Sequence, residues 1–211
     1  MDTKLTGKTR IESDLIGARE IPAEALYGVQ TLRGIENFSI SKFRLSEYPL
    51  FIKGLAITKM AAAMANFELG LLTVEQKDAI IAACGEILDG KHHDQFPVDM
   101  IQGGAGTTTN MNANEVIANR ALELMGHERG EYQYCSPNDH VNCSQSTNDA
   151  YPTAIHIGMY FKHLQLLPHL EELIASFRKK GEEFSQIIKM GRTQLEDAVP
   201  MTLGQTFNGF A

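Results

Sequence analysis

The stretch YPTAIHIGMYFKHLQLLPHLEELIASF, residues 151–177, decides the fold class. Its apolar side chains recur at intervals of three or four residues, which is the spacing of one face of an α-helix. Pro168 has no backbone N–H to donate, so it is expected to kink this long helix. The chain is therefore predicted to be mainly α. The apolar positions of the pattern are Ile155, Met159, Leu166, Leu167, Leu170, Leu173, Ile174 and Phe177.

Three segments upstream predict further helices. Residues 51–70 carry apolar side chains at helical spacing and end in a glycine. Thr73 followed by Gln76 forms a capping box, in which each side chain bonds the other residue's backbone N–H, and this predicts a helix that reaches Gly90. A third helix is expected over about 112–125, where Gly126 ends it.

The two ends of the sequence are less regular. Residues 1–50 contain scattered glycines and prolines, a spacing that predicts loops with a short hairpin. A helix is expected to begin near Pro200, and no C-cap signal follows it before Ala211. We therefore expect a helical N-terminal domain over residues 1–142. Residues 143–211 are expected to begin a long-helix bundle domain that continues beyond this sequence.

Composition narrows the classes of function. The chain has 211 residues, of which 43% are hydrophobic and 21% charged, so it can bury a core without metal or disulfide staples. Its net charge of -7 argues against a nucleic-acid surface, where clustered basic residues neutralise phosphates. The longest apolar stretch, Leu55–Ala65, is interrupted by Lys59 and is shorter than the roughly 20 residues that cross a bilayer. Nucleic-acid and membrane partners are therefore not expected.

Cysteine usage and the N-terminal sequence favour the cytoplasm. No apolar signal-peptide core is present at the start of the sequence. Cys84, Cys135 and Cys143 are odd in number and include no CxxC pair, which indicates free thiols rather than a disulfide framework or a zinc site. The adjacent His92 and His93 are assigned to the solvated surface, and no metal site is predicted.

The segment QGGAGTTTN, residues 102–110, is a glycine-rich loop that leads into a helix; we call it the glycine loop. Glycines let the backbone approach a ligand closely, and a helix N-terminus and threonine hydroxyls offer donors to a carboxylate or phosphate. A nucleotide P-loop is excluded because no lysine precedes its Ser/Thr, and GxGxxG is excluded because Thr109 replaces the third glycine. An anion cradle and a capped loop without a ligand both remain open.

A second polar segment, Ser144–Asp149, precedes the long helix; we call it the STN loop. Pro152 is expected in the first turn of that helix, where its missing N–H has no cost. Asp149 is explained as the cap of the helix. One residue is enough for a cap, so the remaining donors are too many for capping alone. Those donors are Ser146, Thr147 and Asn148.

The third loop, Gly191–Asp197, precedes the helix expected near Pro200. Its Arg192 is expected to pair with a nearby carboxylate. Helix ends in a bundle cluster at one level, so three donor-rich loops at helix starts can converge on one small polyanionic ligand.

Motifs along almost the whole chain resemble the aspartase/fumarase superfamily of elimination enzymes. The resemblance is carried by the three loops together with short motifs spread between them. These motifs are Arg10-Ile11-Glu12-Ser13-Asp14, Tyr27-Gly28-Val29-Gln30-Thr31, Ile35-Glu36-Asn37-Phe38, Asp94-Gln95-Phe96-Pro97, Pro137-Asn138-Asp139-His140-Val141-Asn142 and Lys189-Met190-Gly191-Arg192-Thr193.

The resemblance implies an all-α homotetramer with a central helical bundle and active sites that each draw on three subunits. It implies that a serine removes the C3 proton of a small dicarboxylate, after which ammonia or water leaves from C2. No organic cofactor is implied, and activation by a divalent cation is left open. The positions implied to bind the substrate are Thr107, Ser146, Thr147, Asn148, Thr193 and Gln194.

Two departures refine this interpretation. The superfamily's Gly-Ser-Ser loop, with the catalytic serine and a lysine, has no match in this sequence, so we expect no catalytic residue and no activity from this chain alone. Gln194 stands where fumarases usually carry histidine, and Gly104–Thr107 is similar to the aspartase branch, which eliminates ammonia from L-aspartate to give fumarate. Fumarate hydration is the close alternative, and a non-catalytic helical interaction module is the alternative from another class.

Overall fold

The computed structural model describes residues 7–102 and 104–211, which are mainly α-helical, as predicted. They divide into two compact units: the first ends at Met159 and the second comprises Tyr160–Ala211. The division of the whole protein into domains near residue 142 stays a prediction.

The first unit begins with a hairpin and continues with helices. Strand β1 (Thr9–Asp14) pairs antiparallel with β2 (Gly17–Pro22), which confirms the expected hairpin. The helices that follow are α1 (Val29–Asn37), α2 (Pro49–Glu68), α3 (Val74–Leu88), α4 (Thr107–Leu124) and the first part of α5 (Thr147–Glu183). Short helical turns also occur at Leu45–Glu47, His93–Gln95 and Pro137–Val141.

Local sequence signals account for α2 and α3 but not for α1 or the start of α4. The capping box at Thr73 is confirmed, since Gln76 N–H donates to Thr73 Oγ1 at 3.2 Å and Thr73 N–H donates to Gln76 Oε1 at 3.1 Å. Helix α4 begins at Thr107 rather than near Asn112, because the threonines after Gly106 already belong to its first turn. Helix α1 lies in the segment where loops with a short hairpin and no helix were expected, and its N-cap residue, Gly28, has no side chain to cap it.

The core lies where α2, α3 and α4 pack together. Helix α4 is buried on nearly all sides, so its polar side chains are buried too and need hydrogen-bond partners. Helix α2 has the length and hydropathy of a membrane-spanning helix, but core helices share both properties, and α2 packs against α3. Buried apolar residues of these helices are Ile52, Leu55, Ala56, Ala63, Ala79, Ile80, Ala83, Cys84, Ile87, Met111, Ala113, Val116, Ile117, Ala118, Ala121 and Leu122.

The three cysteines are free thiols, as predicted. Cys84 and Cys135 are buried, and Cys143 is half-buried just before the STN loop. Burial raises the pKa of the Cys84 and Cys135 thiols to about 12, so both stay protonated near neutral pH.

The second unit contains the end of α5, a hairpin and a short helix. Strand β3 (Ile188–Thr193) pairs antiparallel with β4 (Glu196–Thr202), and α6 (Leu203–Phe210) follows. The helix expected near Pro200 is present but begins three residues later, after Thr202, which forms a capping box with Gln205. Pro200 itself lies in β4 and not in the first turn of the helix. A proline is tolerated there because each strand of a two-stranded ribbon has one unpaired edge.

The end of α5 and α6 are joined by aromatic packing. The Phe207 ring lies 5.3 Å from the Phe184 ring and 6.1 Å from the Phe177 ring, measured between centroids. Helix α5 is continuous over 37 residues, and Pro168 lies within it.

Candidate active site

Gln102 fastens the glycine loop to the first turn of α4. Its Nε2 donates to Thr109 Oγ1 at 2.5 Å, and the Thr109 N–H donates to Gln102 Oε1 at 2.9 Å. Gly106 has a φ of 86°, a left-handed conformation that favours glycine. Thr107 is exposed at the helix start. Gly103, part of the predicted loop, lies outside the described residues.

The STN loop forms the N-terminus of α5. The Ser146 carbonyl accepts from the Ala150 N–H at 3.0 Å, and the Ser146 hydroxyl accepts from the Asn148 N–H at 3.2 Å. Ser146 is therefore the cap, whereas Asp149, expected to be the cap, lies in the first turn of the helix.

Pro152 changes what Asn148 can offer to a ligand. Pro152 was predicted to lie in the first turn of α5. It lies in the second turn, because α5 already begins at Thr147. Proline has no N–H to donate to the carbonyl four residues earlier, which is that of Asn148. The Asn148 carbonyl therefore lacks its helical donor, and the residue is exposed.

A buried hydrogen-bond network lies behind the STN loop. Lys59 Nζ, on α2, donates to Asn142 Oδ1 at 2.9 Å and to Gln145 Oε1 at 3.0 Å. Asn142 Oδ1 also accepts from Asn110 Nδ2 at 3.0 Å, and the same Nδ2 donates to Thr147 Oγ1 at 3.1 Å. The network therefore links a buried ammonium group to the hydroxyl of a predicted substrate-binding residue.

Lys59 is the most unusual member of this network. Its exposed fraction is 0%, and within residues 7–102 and 104–211 no carboxylate forms an ion pair with it. Burial lowers the pKa of Lys59 to about 7, an effect that the nearby Cys84 opposes. In the sequence, Lys59 is seen only as a break in an apolar stretch. The available signal was that it is the one charged residue within Leu55–Ala65.

A groove of about 630 Å³ joins the glycine loop to the STN loop. The Tyr151 ring packs against Gly106 so closely that a Cβ there would overlap it, and the ring meets Phe51 edge to face at 5.6 Å. The first two predicted loops are thus brought together. The groove is lined by Met100, Ile101, Gln102, Gly104, Ala105, Gly106, Asn148, Tyr151 and Pro152.

A second cavity, of about 750 Å³, borders Thr107. Its wall includes Arg33, whose Nη2 and Nε each donate to the Asp14 carboxylate at 2.8 Å. The Arg33 guanidinium lowers the pKa of Asp14 to about 2, so the two charges neutralise each other. This cavity consequently offers less positive charge to an anion than its arginine suggests.

The third loop is a hairpin turn in the second unit, not the start of a helix. Gln194 and Leu195 have φ values of 49° and 67°, the left-handed conformation that reverses the chain in a tight hairpin. Thr193 ends β3 and, like Gln194, is exposed. The predicted ion pair of Arg192 is confirmed, with its Nε 3.1 Å from Asp197 Oδ1.

The histidine pair was wrongly assigned to the solvated surface. His92 Nε2 lies 2.8 Å from Glu86 Oε2, and His93 Nε2 lies 2.9 Å from the Ile87 carbonyl oxygen, with both rings half-buried. Their role is to fasten the turn after α3. Within the described part of the chain, no three His, Cys, Asp or Glu side chains are grouped in a way that could hold a metal ion.

Three features can be compared with known families. They are a buried three-helix core, a groove between two polar loops at helix starts, and a 37-residue helix. Residues 17–211 match the family model described as "Lyase". The chain belongs to this lyase family, and its resemblance to the aspartase/fumarase superfamily is confirmed.

Individual relatives narrow the comparison. An aspartate ammonia-lyase of Pseudomonas canavaninivorans is 60% identical over 202 residues, which is 96% of this chain and 43% of that protein. The chain thus spans less than half the length of the relatives it matches.

Solved structures share the fold. A fumarate lyase:delta crystallin of Brucella melitensis, bound to cobalt, is 54% identical with a TM-score of 0.89, over 96% of this chain and 44% of that one. A class II fumarase of Schistosoma mansoni is 39% identical with a TM-score of 0.85, over 96% and 43%. The predicted mainly α fold class is therefore confirmed.

Proposed function

We propose that this chain is part of an aspartate ammonia-lyase, which reversibly eliminates ammonia from L-aspartate to give fumarate. The observation that carries the proposal is its 60% identity to such an enzyme over 96% of the chain. Identity to the class II fumarase is lower, at 39%. Gln194 agrees with this choice, since fumarases usually carry histidine there.

The reaction fixes what the site must bind. A base takes the proton from C3 of aspartate, the C3–H electron pair becomes the second bond between C2 and C3, and the C2–N bond breaks to release ammonia. Negative charge builds on the carboxylate next to C3 while the proton leaves. Donors placed against that carboxylate before the reaction stabilise the transition state, because they need no reorganisation.

The groove between the first two loops suits this requirement. The side-chain amide of Asn148 can donate to a carboxylate oxygen, and the Asn148 backbone carbonyl, which receives no N–H from Pro152, can accept from the substrate ammonium. Thr107, Ser146 and Thr147 do not line the groove itself. They are proposed to add hydroxyl groups from the two helix starts beside it, where backbone N–H groups favour anions. Thr193 and Gln194 are proposed to complete the binding set.

The remaining parts of the site are proposed to come from elsewhere in the protein. The general base is assigned to the superfamily's serine loop, which has no match in these residues. A homotetramer is proposed because α5 exposes a series of large apolar side chains to water, and such a surface is typical of an interface with another protein chain. These are Met159, Tyr160, Leu164, Leu166, Leu170 and Leu173.

The test is an assay of the full-length protein with L-aspartate and, separately, with L-malate, in which fumarate absorbance is followed. We expect fumarate from aspartate and little from malate. The 211-residue chain alone is expected to give none, since losing a general base costs roughly 10²–10⁴-fold. Faster turnover of malate would favour the fumarase alternative.

The interaction-module alternative is tested on the same full-length protein. Thermal unfolding is measured with and without succinate, an unreactive dicarboxylate. We expect succinate to raise the midpoint, because a ligand that binds only the folded state stabilises it. A protein with no activity and no response to succinate would instead support a non-catalytic module.

A further inference from the structure

We propose that Lys59 is a positioning residue that holds the STN loop in its ligand-binding conformation through Asn142 and Gln145. The inference rests on the proposed function, because it assigns Lys59 a task in that site. Lys59 acts through other residues and does not itself touch the substrate.

The loop before α5 is closed by its own side chains. Gln145 Nε2 donates to the Val141 and Cys143 carbonyls at 2.8 and 3.1 Å, and Asn142 Nδ2 donates to the Gln145 carbonyl at 3.0 Å. These bonds shape the turn but do not attach it to the core.

Two side chains of α2 make that attachment together with Asn110 of α4, which bonds Asn142 and Thr147. Asn66 Nδ2 donates to the Cys143 carbonyl at 2.8 Å, and Lys59 Nζ donates to the side-chain oxygens of both Asn142 and Gln145. Lys59 therefore holds the two residues whose side chains close the turn.

The loop backbone needs to be held from outside. Ser144 has a φ of 57°, a left-handed conformation that a residue with a side chain adopts only when its surroundings enforce it. It lies between Asn142 and Gln145, the two residues that Lys59 contacts. Loss of the Lys59 hydrogen bonds would therefore loosen the strained part of the turn, which Asn66 and Asn110 alone would then hold.

Core packing does not explain the charge on Lys59. A methionine of similar length would fill the same space without the cost of removing an ammonium group from water. The cost is offset only if the hydrogen bonds to the loop matter. The Asn110 amide extends the effect, because its Nδ2 bridges Asn142 Oδ1 and Thr147 Oγ1.

The experiment uses the full-length protein and four variants. Lys59→Met removes the ammonium, and Gln145→Met removes one of its acceptors from the partly exposed loop in case Lys59→Met does not fold. Thr147→Ala probes the far end of the network. Ile80→Val, in the buried core of α3, is the control for a general loss of stability.

We expect Lys59→Met and Gln145→Met each to lower kcat/KM for aspartate at least tenfold, while Ile80→Val changes it less than twofold. The double variant of Lys59→Met with Thr147→Ala should lose little more than the worse single variant, because both changes break one network. Losses that multiply, or a Lys59→Met enzyme that behaves like Ile80→Val, would overturn the proposal.

Hydrogen exchange separates this inference from the proposed function. Amides of residues 142–148 should exchange at least tenfold faster in Lys59→Met than in wild type, and unchanged exchange would overturn the inference. If wild type itself fails to deaminate aspartate, the proposed function is wrong, and the exchange result alone decides whether Lys59 positions the loop.

Discussion

The Glu115 carboxylate on α4 accepts a hydrogen bond from the Gly28 N–H at 2.8 Å, across 87 residues of sequence. The same carboxylate accepts from the N–H groups of Gln30 at 2.8 Å and Thr31 at 3.0 Å. These are three of the four N–H groups at the start of α1 that a helix cannot satisfy by itself, and the fourth, that of Val29, donates to Glu12 Oε2 at 3.1 Å. Helix α1 is therefore capped mainly by a residue of another helix and not by its own N-cap residue.

Replacing Glu115 with glutamine should destabilise the protein. The glutamine NH₂ would face backbone donors that have no other partner, and an unsatisfied buried donor costs about 1–3 kcal/mol. Urea unfolding of Glu115→Gln measures this loss. Glu171→Gln, on the exposed part of α5, is the matched control and should change the free energy of unfolding by less than about 0.5 kcal/mol. Equal stability of the two variants would contradict the capping role.

Acid should destabilise the protein in part through Glu86. The Arg120 guanidinium, which donates to Glu86 at 2.6 and 2.8 Å, lowers the pKa of Glu86 from 4.5 to about 2. A carboxyl whose pKa is lower in the folded state stabilises that state above its unfolded pKa and loses this contribution as pH falls. The loss is therefore expected between about pH 4.5 and pH 2.

The measurement is the urea midpoint at pH 5 and pH 3. Wild type should show a larger fall than Glu86→Gln, which has no proton to gain at this position. Glu75→Gln, at an exposed position, should retain the wild-type fall. An identical pH dependence in Glu86→Gln and wild type would refute the assignment.

Gly106→Ala should damage the groove, and Gly90→Ala is its matched control. Both glycines have nearly the same φ, 86° and 89°, so alanine pays a similar left-handed penalty of about 1–2 kcal/mol at each. At Gly90 the added Cβ meets open space, whereas at Gly106 it overlaps the Tyr151 ring. Only Gly106→Ala should also weaken succinate binding to the full-length protein, measured by calorimetry. Equal binding by both variants would show that the groove is not the dicarboxylate site.

Asn148→Ala and Thr193→Ala should each lower kcat/KM for aspartate by about 10²–10³-fold in the full-length enzyme, the range for losing one oxyanion donor. Unfolding midpoints should change little, because both side chains are exposed. Lys91→Ala, an exposed change at the turn after α3, should leave the kinetics near wild type. Near-normal turnover in Asn148→Ala would show that Asn148 of the STN loop does not bind the substrate.

Elements with local signals were predictable from the sequence. Helix α3 carries its capping box within four consecutive residues, Thr73–Gln76, so one short segment specifies its start. Helix α1 could not be found in this way, since its cap comes from Glu115 on another helix. The third loop was misjudged because Pro200 is as acceptable on the free edge of a ribbon as at the start of a helix.

The candidate site shows the same division. Within the glycine loop, and again within the STN loop, the donor residues are close together in sequence, so each loop could be predicted as a unit. The contacts of Lys59 with Asn142 and Gln145 cross 83 and 86 residues, and no periodicity or motif reports such a pairing. Only the packing of α2 against the loop reveals it.

The three cysteines differ in burial, so a thiol reagent can label Cys143, beside the STN loop, selectively. Thiol-reactive dyes attack the thiolate, and the raised pKa of Cys84 and Cys135 leaves almost none of it at neutral pH. Cys143 is half-buried and stands directly between Asn142 and Ser144. Among the cysteines of residues 1–211, a maleimide fluorophore would therefore attach to Cys143, next to the loop, and its emission would report loop movement as a dicarboxylate binds.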